Sequence, residues 1–119
     1  MRCLIVDDNP ELVRAVTRLL ECQGIEVAGV AASGAEGLLR ARELQPEVVL
    51  LDIKLGDENG FEFVERFDPL PVILISTYAE RDFEDLIAAS PALGFLSKAR
   101  LSGAAIRDLL ATRTPLSES

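Results

Sequence analysis

The stretch EVVLLDIK, residues 47–54, decides the fold. Four apolar residues, Val48 to Leu51, run straight into the carboxylate of Asp52. A short, Val-rich apolar run reads as a strand of a parallel sheet buried on both faces. A charge at the end of such a strand needs a partner or water, because burying an unpaired carboxylate is costly. Two readings stand at this point. Asp52 caps the following helix, or it does chemistry at the edge of the sheet.

The surrounding chain repeats the same unit. RCLIVD (2–7) is a first strand, followed by a helix with Asn9 as N-cap, Pro10 at its first position and Gly24 as its stop. Leu12, Val13, Val16, Leu19 and Leu20 fall on one face of that helix. IEVAGVA (25–31) is the second strand. The second helix opens on Ser33 with Glu36 three residues later, a capping box, and ends at Pro46. EVVLLD (47–52) is the third strand, IKLGDENG a loop, and FEFVERF a short helix. PVILIS (71–76) and LGFLS (93–97) are the fourth and fifth strands, separated by a helix read over AERDFEDLIAAS. A last helix, N-capped by Ser102, leads into the polar tail TPLSES. Five β–α units predict an α/β fold, a doubly wound five-stranded parallel sheet with five helices. The flavodoxin-like order 2-1-3-4-5 suits this length.

Bulk properties narrow the function. At 119 residues the chain has the size of one domain, with a core expected over about 2–112. With 20 acids against 12 bases the net charge is −8, which argues against a binder of nucleic-acid phosphates. There is no His, so a Cys/His zinc site is not expected. Cys3 and Cys22 both lie in apolar-patterned segments and read as small buried thiols. MRCLIVDD lacks the apolar region of a signal peptide, and no run approaches a membrane span, so a soluble cytoplasmic protein is expected.

In an open α/β sheet the ligand site lies beyond the carboxyl ends of the strands, where the strand order switches. Here that point lies between strands 1 and 3. The topology brings Asp7 and Asp8, after strand 1, to Asp52, at the end of strand 3. Two unit charges about 4 Å apart repel by roughly 1 kcal/mol in water and about 4 kcal/mol at an effective dielectric of 20. A hard divalent cation removes the conflict, and carboxylates with retained waters suit Mg²⁺. Ser76 and Thr77 end strand 4 and offer hydroxyls. Lys98 follows strand 5 and offers a point charge. Acids, metal, hydroxyl and ammonium fit phosphoryl transfer, which depends on positioning and charge neutralisation. Asp52 is then a carboxylate nucleophile that takes up a phosphoryl group.

In these features the sequence resembles the receiver domain of bacterial two-component response regulators. LIVDD resembles the family's acidic pair, VVLLDIKLGDENG its phosphoacceptor strand and loop, PVILIST its fourth strand with the Ser/Thr switch, and GFLSK its aromatic-and-lysine motif. The resemblance implies phosphorylation of Asp52 by a histidine kinase, a phosphotransfer protein or a small acyl phosphate. It implies Mg²⁺ held by Asp8, Asp52 and the backbone carbonyl of Lys54, with Asp7 assisting through water. Ser76 and Lys98 would bind the phosphoryl oxygens, and Phe95 would change rotamer as Ser76 moves inward. The fourth helix, fifth strand and fifth helix would form the surface for partner binding or homodimerisation. Such a domain is a signalling receiver and catalyses only its own phosphorylation and dephosphorylation.

The sequence departs from the family in three places. Leu55-Gly56 stands where Met-Pro is common, Ala99 where proline commonly follows the lysine, and AASPALGF leads into strand 5. A cis bond before a residue other than proline costs about 2.5–4 kcal/mol, so a trans Lys98–Ala99 bond is expected, with Lys98 reaching the site by side-chain length. Phe95 also reads as a plain core aromatic. The rival functions are a receiver-like interaction module that works without phosphate, and an aspartate-nucleophile phosphatase. The phosphatase needs a second Asp two residues after its nucleophile, where Asp52 has Lys54. No phosphate-binding glycine motif supports a flavin or nucleotide module.

Overall fold

The computed structural model describes residues 1–77 and 83–112. Five parallel strands form the main sheet: β1 (Arg2–Val6), β2 (Glu26–Ala31), β3 (Val48–Asp52), β6 (Val72–Ser76) and β7 (Gly94–Ser97). Their order is β2-β1-β3-β6-β7, the expected doubly wound order. Two further strands, β4 (Lys54–Leu55) and β5 (Glu58–Asn59), pair antiparallel as a small ribbon inside the loop after β3.

The apolar runs face both ways because successive side chains alternate across a strand. Leu4, Val6, Val49, Leu51 and Leu74 pack on one side with Phe63, Val64 and Phe67. Cys3, Ile5, Val48, Leu50, Ile73 and Ile75 pack on the other with Val13, Val16, Leu20 and Ile106. A fully buried Leu50 or Ile73 contributes about 1.5–3 kcal/mol, so the central strands are the stable frame of the site.

The helices are placed by their caps. α1 (Pro10–Cys22) begins with the Asn9 side chain accepting from the N–H groups of Glu11 and Leu12, at 3.1 and 3.2 Å. α2 (Gly34–Leu44) begins with Ser33 Oγ accepting from Glu36 N at 3.1 Å. The box closes one residue earlier than expected, with Ala32 N donating to Glu36 Oε1 at 2.9 Å. Residues Gly60–Phe67 wind as a 3-10 helix capped by Asn59. α3 (Glu84–Ala89) is shorter than the helix read from the sequence, whose beginning at Ala79 lies outside the described residues. α4 (Gly103–Ala111) starts on Ser102, whose hydroxyl accepts from Ala105 N. The polar tail TPLSES also lies outside the described residues.

Two expectations about burial need correction. Cys3 is buried, but Cys22 is exposed. Leu19 lies at the margin of the apolar face of α1 and is 38% exposed. Helical spacing indicates the direction of a side chain. It does not show how far the neighbouring sheet reaches around the helix.

Candidate functional site

The ladder itself gathers the acids. β1 pairs with β3 in a register that ends with Val6 opposite Leu51. The next step of that register sets Asp7 beside Asp52, at the strand spacing of about 4.8 Å. Carboxylate oxygens of Asp7, Asp8 and Asp52 lie within 4.8 Å of one another. Asp7 and Asp52 are buried, and Asp8 is exposed. None of the three serves as a helix cap: Asn9 caps α1 and Asn59 caps the 3-10 helix. That disposes of the capping reading for Asp52.

Lys98 reaches between the two buried acids. Its Nζ lies 2.8 Å from Asp7 Oδ2 and 3.3 Å from Asp52 Oδ2, and its side chain is only 9% exposed. The Lys98–Ala99 bond is trans, and Lys98–Arg100 forms a 3-10 turn directly after β7. Lys98 thus reaches the acids by side-chain length, as the cost of a cis bond implied.

Backbone groups hold the other oxygens. Asn9 N donates to Asp7 Oδ1 at 2.9 Å and Lys54 N to Asp52 Oδ1 at 3.3 Å. Asp7 Oδ2 is buried and within ion-pair range of Lys98, yet it accepts no hydrogen bond of good geometry among the described residues. The short distance establishes the charge contact, while the directional demand of that oxygen stays unmet. A buried, poorly satisfied carboxylate oxygen beside two further carboxylates is a donor set that suits Mg²⁺ with retained waters.

Asp52 is an uncomfortable anion in this setting. Burial and then the charge of Asp7 push its carboxyl up from its ordinary value near 3.8 to about 6. Lys98 and the Lys54 N–H pull it back and do not win. The hydroxyl and the aromatic fall where the strand ends place them. Ser76 is buried at the end of β6, in register with Ser97 of β7. Phe95 is half-buried and packs against the same core layer as Leu74 and Phe63. Lys54 is exposed, and its N–H donates to Asp52.

Glycine shapes the loop. A Cβ on Gly60 would lie 2.2 Å from the carbonyl oxygen of Asp52, so only glycine lets the chain pass there. Its N–H donates to Ile53 O at 2.6 Å. Gly56 has φ +57° and opens the two-residue turn between Leu55 and Glu58. By sequence, 53–60 reads as plain loop, but the structure pairs Lys54–Leu55 with Glu58–Asn59 as this ribbon. The signal present was glycine at the first central position of a two-residue turn.

A profile of the response regulator receiver domain matches residues 3–110, and the chain belongs to that family. The response regulator GacA of Pseudomonas protegens is 35% identical over 82% of this chain and 48% of its own length. A protein-glutamate methylesterase/protein-glutamine glutaminase of Bacillus licheniformis is 35% identical over 99% of this chain and 34% of its own length. Among solved structures, the signal receiver domain of the response regulator NarL from Mycobacterium tuberculosis aligns with a TM-score of 0.82 at 28% identity. That alignment covers 94% of this chain and 97% of the other. The chain spans about half the length, or less, of the curated relatives named. It is a receiver domain of two-component signalling. No helix among the described residues is long and apolar enough to cross a membrane.

Proposed function

We propose that Asp52 accepts a phosphoryl group from a histidine kinase or phosphotransfer protein, and that the modified domain presents a changed surface to its partner. The observation that carries this reading is the position of Lys98, 2.8 Å from Asp7 and 3.3 Å from Asp52. An ammonium held there balances the acids at rest and is already in place to pair with phosphoryl oxygens beside Asp52.

An Asp52 oxygen attacks phosphorus. The bond from phosphorus to the donor's ring nitrogen breaks, its electron pair stays on the imidazole, and Asp52 becomes an acyl phosphate. Mg²⁺, when bound, supplies charge neutralisation to the carboxylates and the phosphoryl oxygens. Asp8, Asp52 and the Lys54 carbonyl would hold it, with Asp7 assisting through water. The new group carries about −1.5 to −2 charge, and Ser76 and Lys98 grip its oxygens. Drawing Ser76 toward the phosphoryl group frees space toward Phe95, which follows. The face that changes is α3, β7 and α4. Its loose packing supports this choice, since α3 buries no residue and Leu86 is 50% exposed. The same face serves for homodimerisation. The domain works in the cytoplasm, and contacts with nucleic acid, where the whole protein makes them, fall outside this domain.

Incubation with acetyl phosphate and Mg²⁺ tests the assignment. Intact mass should show one added phosphoryl group on the wild-type chain and none on Asp52→Asn. Equal labelling of that variant would sink the proposal.

A further inference from the structure

We infer that Glu58 is a positioning residue for the acidic site, clasping the β4–β5 ribbon to α2 so that the ribbon stays over Asp8. This rests on the proposed Mg²⁺ and phosphoryl reading of that site. Glu58 Oε1 accepts from Gly34 N at 3.0 Å, across 24 residues. Gly34 is the first residue of α2, where N–H groups lack partners within the helix and the helix dipole favours a carboxylate. The α2 end of the clasp is itself fixed. A Cβ on Gly34 would lie 2.4 Å from the Phe63 ring, so Phe63 sits tightly against it.

The ribbon needs such a clasp. Each of its strands is two residues long, and a hairpin that short is not stable alone in water. Both of its ends run into the site. Lys54 N donates to Asp52 Oδ1, and Gly60 packs on the Asp52 carbonyl. Its turn leans over the exposed acid, since a Cβ on Gly56 would lie 3.7 Å from Asp8 Oδ2. Glu58 fixes that lever at the residue directly opposite Leu55. Loss of the clasp frees the ribbon to move off Asp8 and takes the Lys54 backbone with it. By linkage, a cation bound at the acids also strengthens the hold on α2.

The test is an NMR titration of the full chain with Mg²⁺ alone. Glu58→Ala should weaken Mg²⁺ binding about 10- to 100-fold, the usual range for an outer partner of a metal site. Glu58→Gln keeps an acceptor oxygen for Gly34 and should bind like the wild type. The Gly34 amide proton should shift upfield in the Ala variant and hold its position in the Gln variant. Should Glu58→Ala fail to fold, Glu58→Ser takes its place, being polar but too short to reach Gly34. Wild-type affinity in a variant whose Gly34 signal reports a lost clasp would overturn the inference. So would weak binding in Glu58→Gln with the clasp intact. A wild-type chain that takes no Mg²⁺ refutes the site reading itself, and the clasp's role with it.

Discussion

Asp52→Asn should stabilise the metal-free protein at neutral pH, although it removes the reacting group. The folded carboxyl lies near 6 against an ordinary value near 3.8, raised by burial first and by Asp7 second. An acid whose pKa is higher when folded holds its proton more tightly in the native state. Stability therefore falls as pH rises from about 4 to about 6, because the native state binds more protons over that window. At about 1.4 kcal/mol per pKa unit, the ionised group costs on the order of 2–3 kcal/mol above pH 6. Asparagine keeps the shape without the charge, and its amide presents an imperfect face to Lys98, so a net gain of about 1–3 kcal/mol is expected at pH 7.5. Near 100 residues each kcal/mol moves the melting temperature by roughly 4–8 °C. Thermal melts in EDTA from pH 4 to pH 8 should show the gap opening with pH and closing near pH 4. Mg²⁺ at 100 times its Kd should raise the wild type by about 2.7 kcal/mol and the variant by less, which narrows the gap. A variant less stable than the wild type at pH 7.5 in EDTA, with a gap indifferent to pH, would refute the reasoning.

Lys98→Met removes the cation from between two buried carboxylates and should cost about 3–5 kcal/mol in chemical denaturation. The loss should be largest above pH 7 and should shrink toward pH 5, as Asp52 takes up a proton; a pH-independent loss would contradict the pairing. Gly60→Ala sets a methyl 2.2 Å from the Asp52 carbonyl, which lies in backbone and yields poorly, so about 3 kcal/mol or more should be lost. An urea midpoint equal to wild type would show that the loop passes Asp52 at a greater distance. Ellman's reagent at pH 8 should find one fast thiol, the exposed Cys22. Cys3 is fully buried, and burial pushes its thiol up to about 12, so it should react only on unfolding; two fast thiols would contradict the core packing.

The chain alone determined the alternation of strands and helices, their order in the sheet, and the caps at Asn9, Ser33 and Ser102. These depend on neighbours within a turn of helix or a few residues of strand, so they are visible in a linear text. The gathering of Asp7, Asp8, Asp52, Ser76 and Lys98 at one edge was legible too, because strand order fixes which strand ends are neighbours. Tertiary structure decided the rest. Lys98 sits 46 residues from Asp52 in sequence and 3.3 Å from it in space, and only that distance shows the ammonium shared by two acids. The raised carboxyl of Asp52 depends on burial by distant segments and on Asp7, neither of which its own neighbours in the chain reveal. Cys22 and Leu19 carry an apolar pattern onto an exposed surface, because the reach of the sheet, and not helical spacing, sets how wide a stripe is covered. The clasp of Glu58 on Gly34 joins the β4–β5 ribbon to the start of α2 by one hydrogen bond, and such a bond leaves no periodic trace in a sequence. Local rules act through the covalent chain. Burial, charge coupling and long-range hydrogen bonds act through space, and only the folded chain says which residues share it.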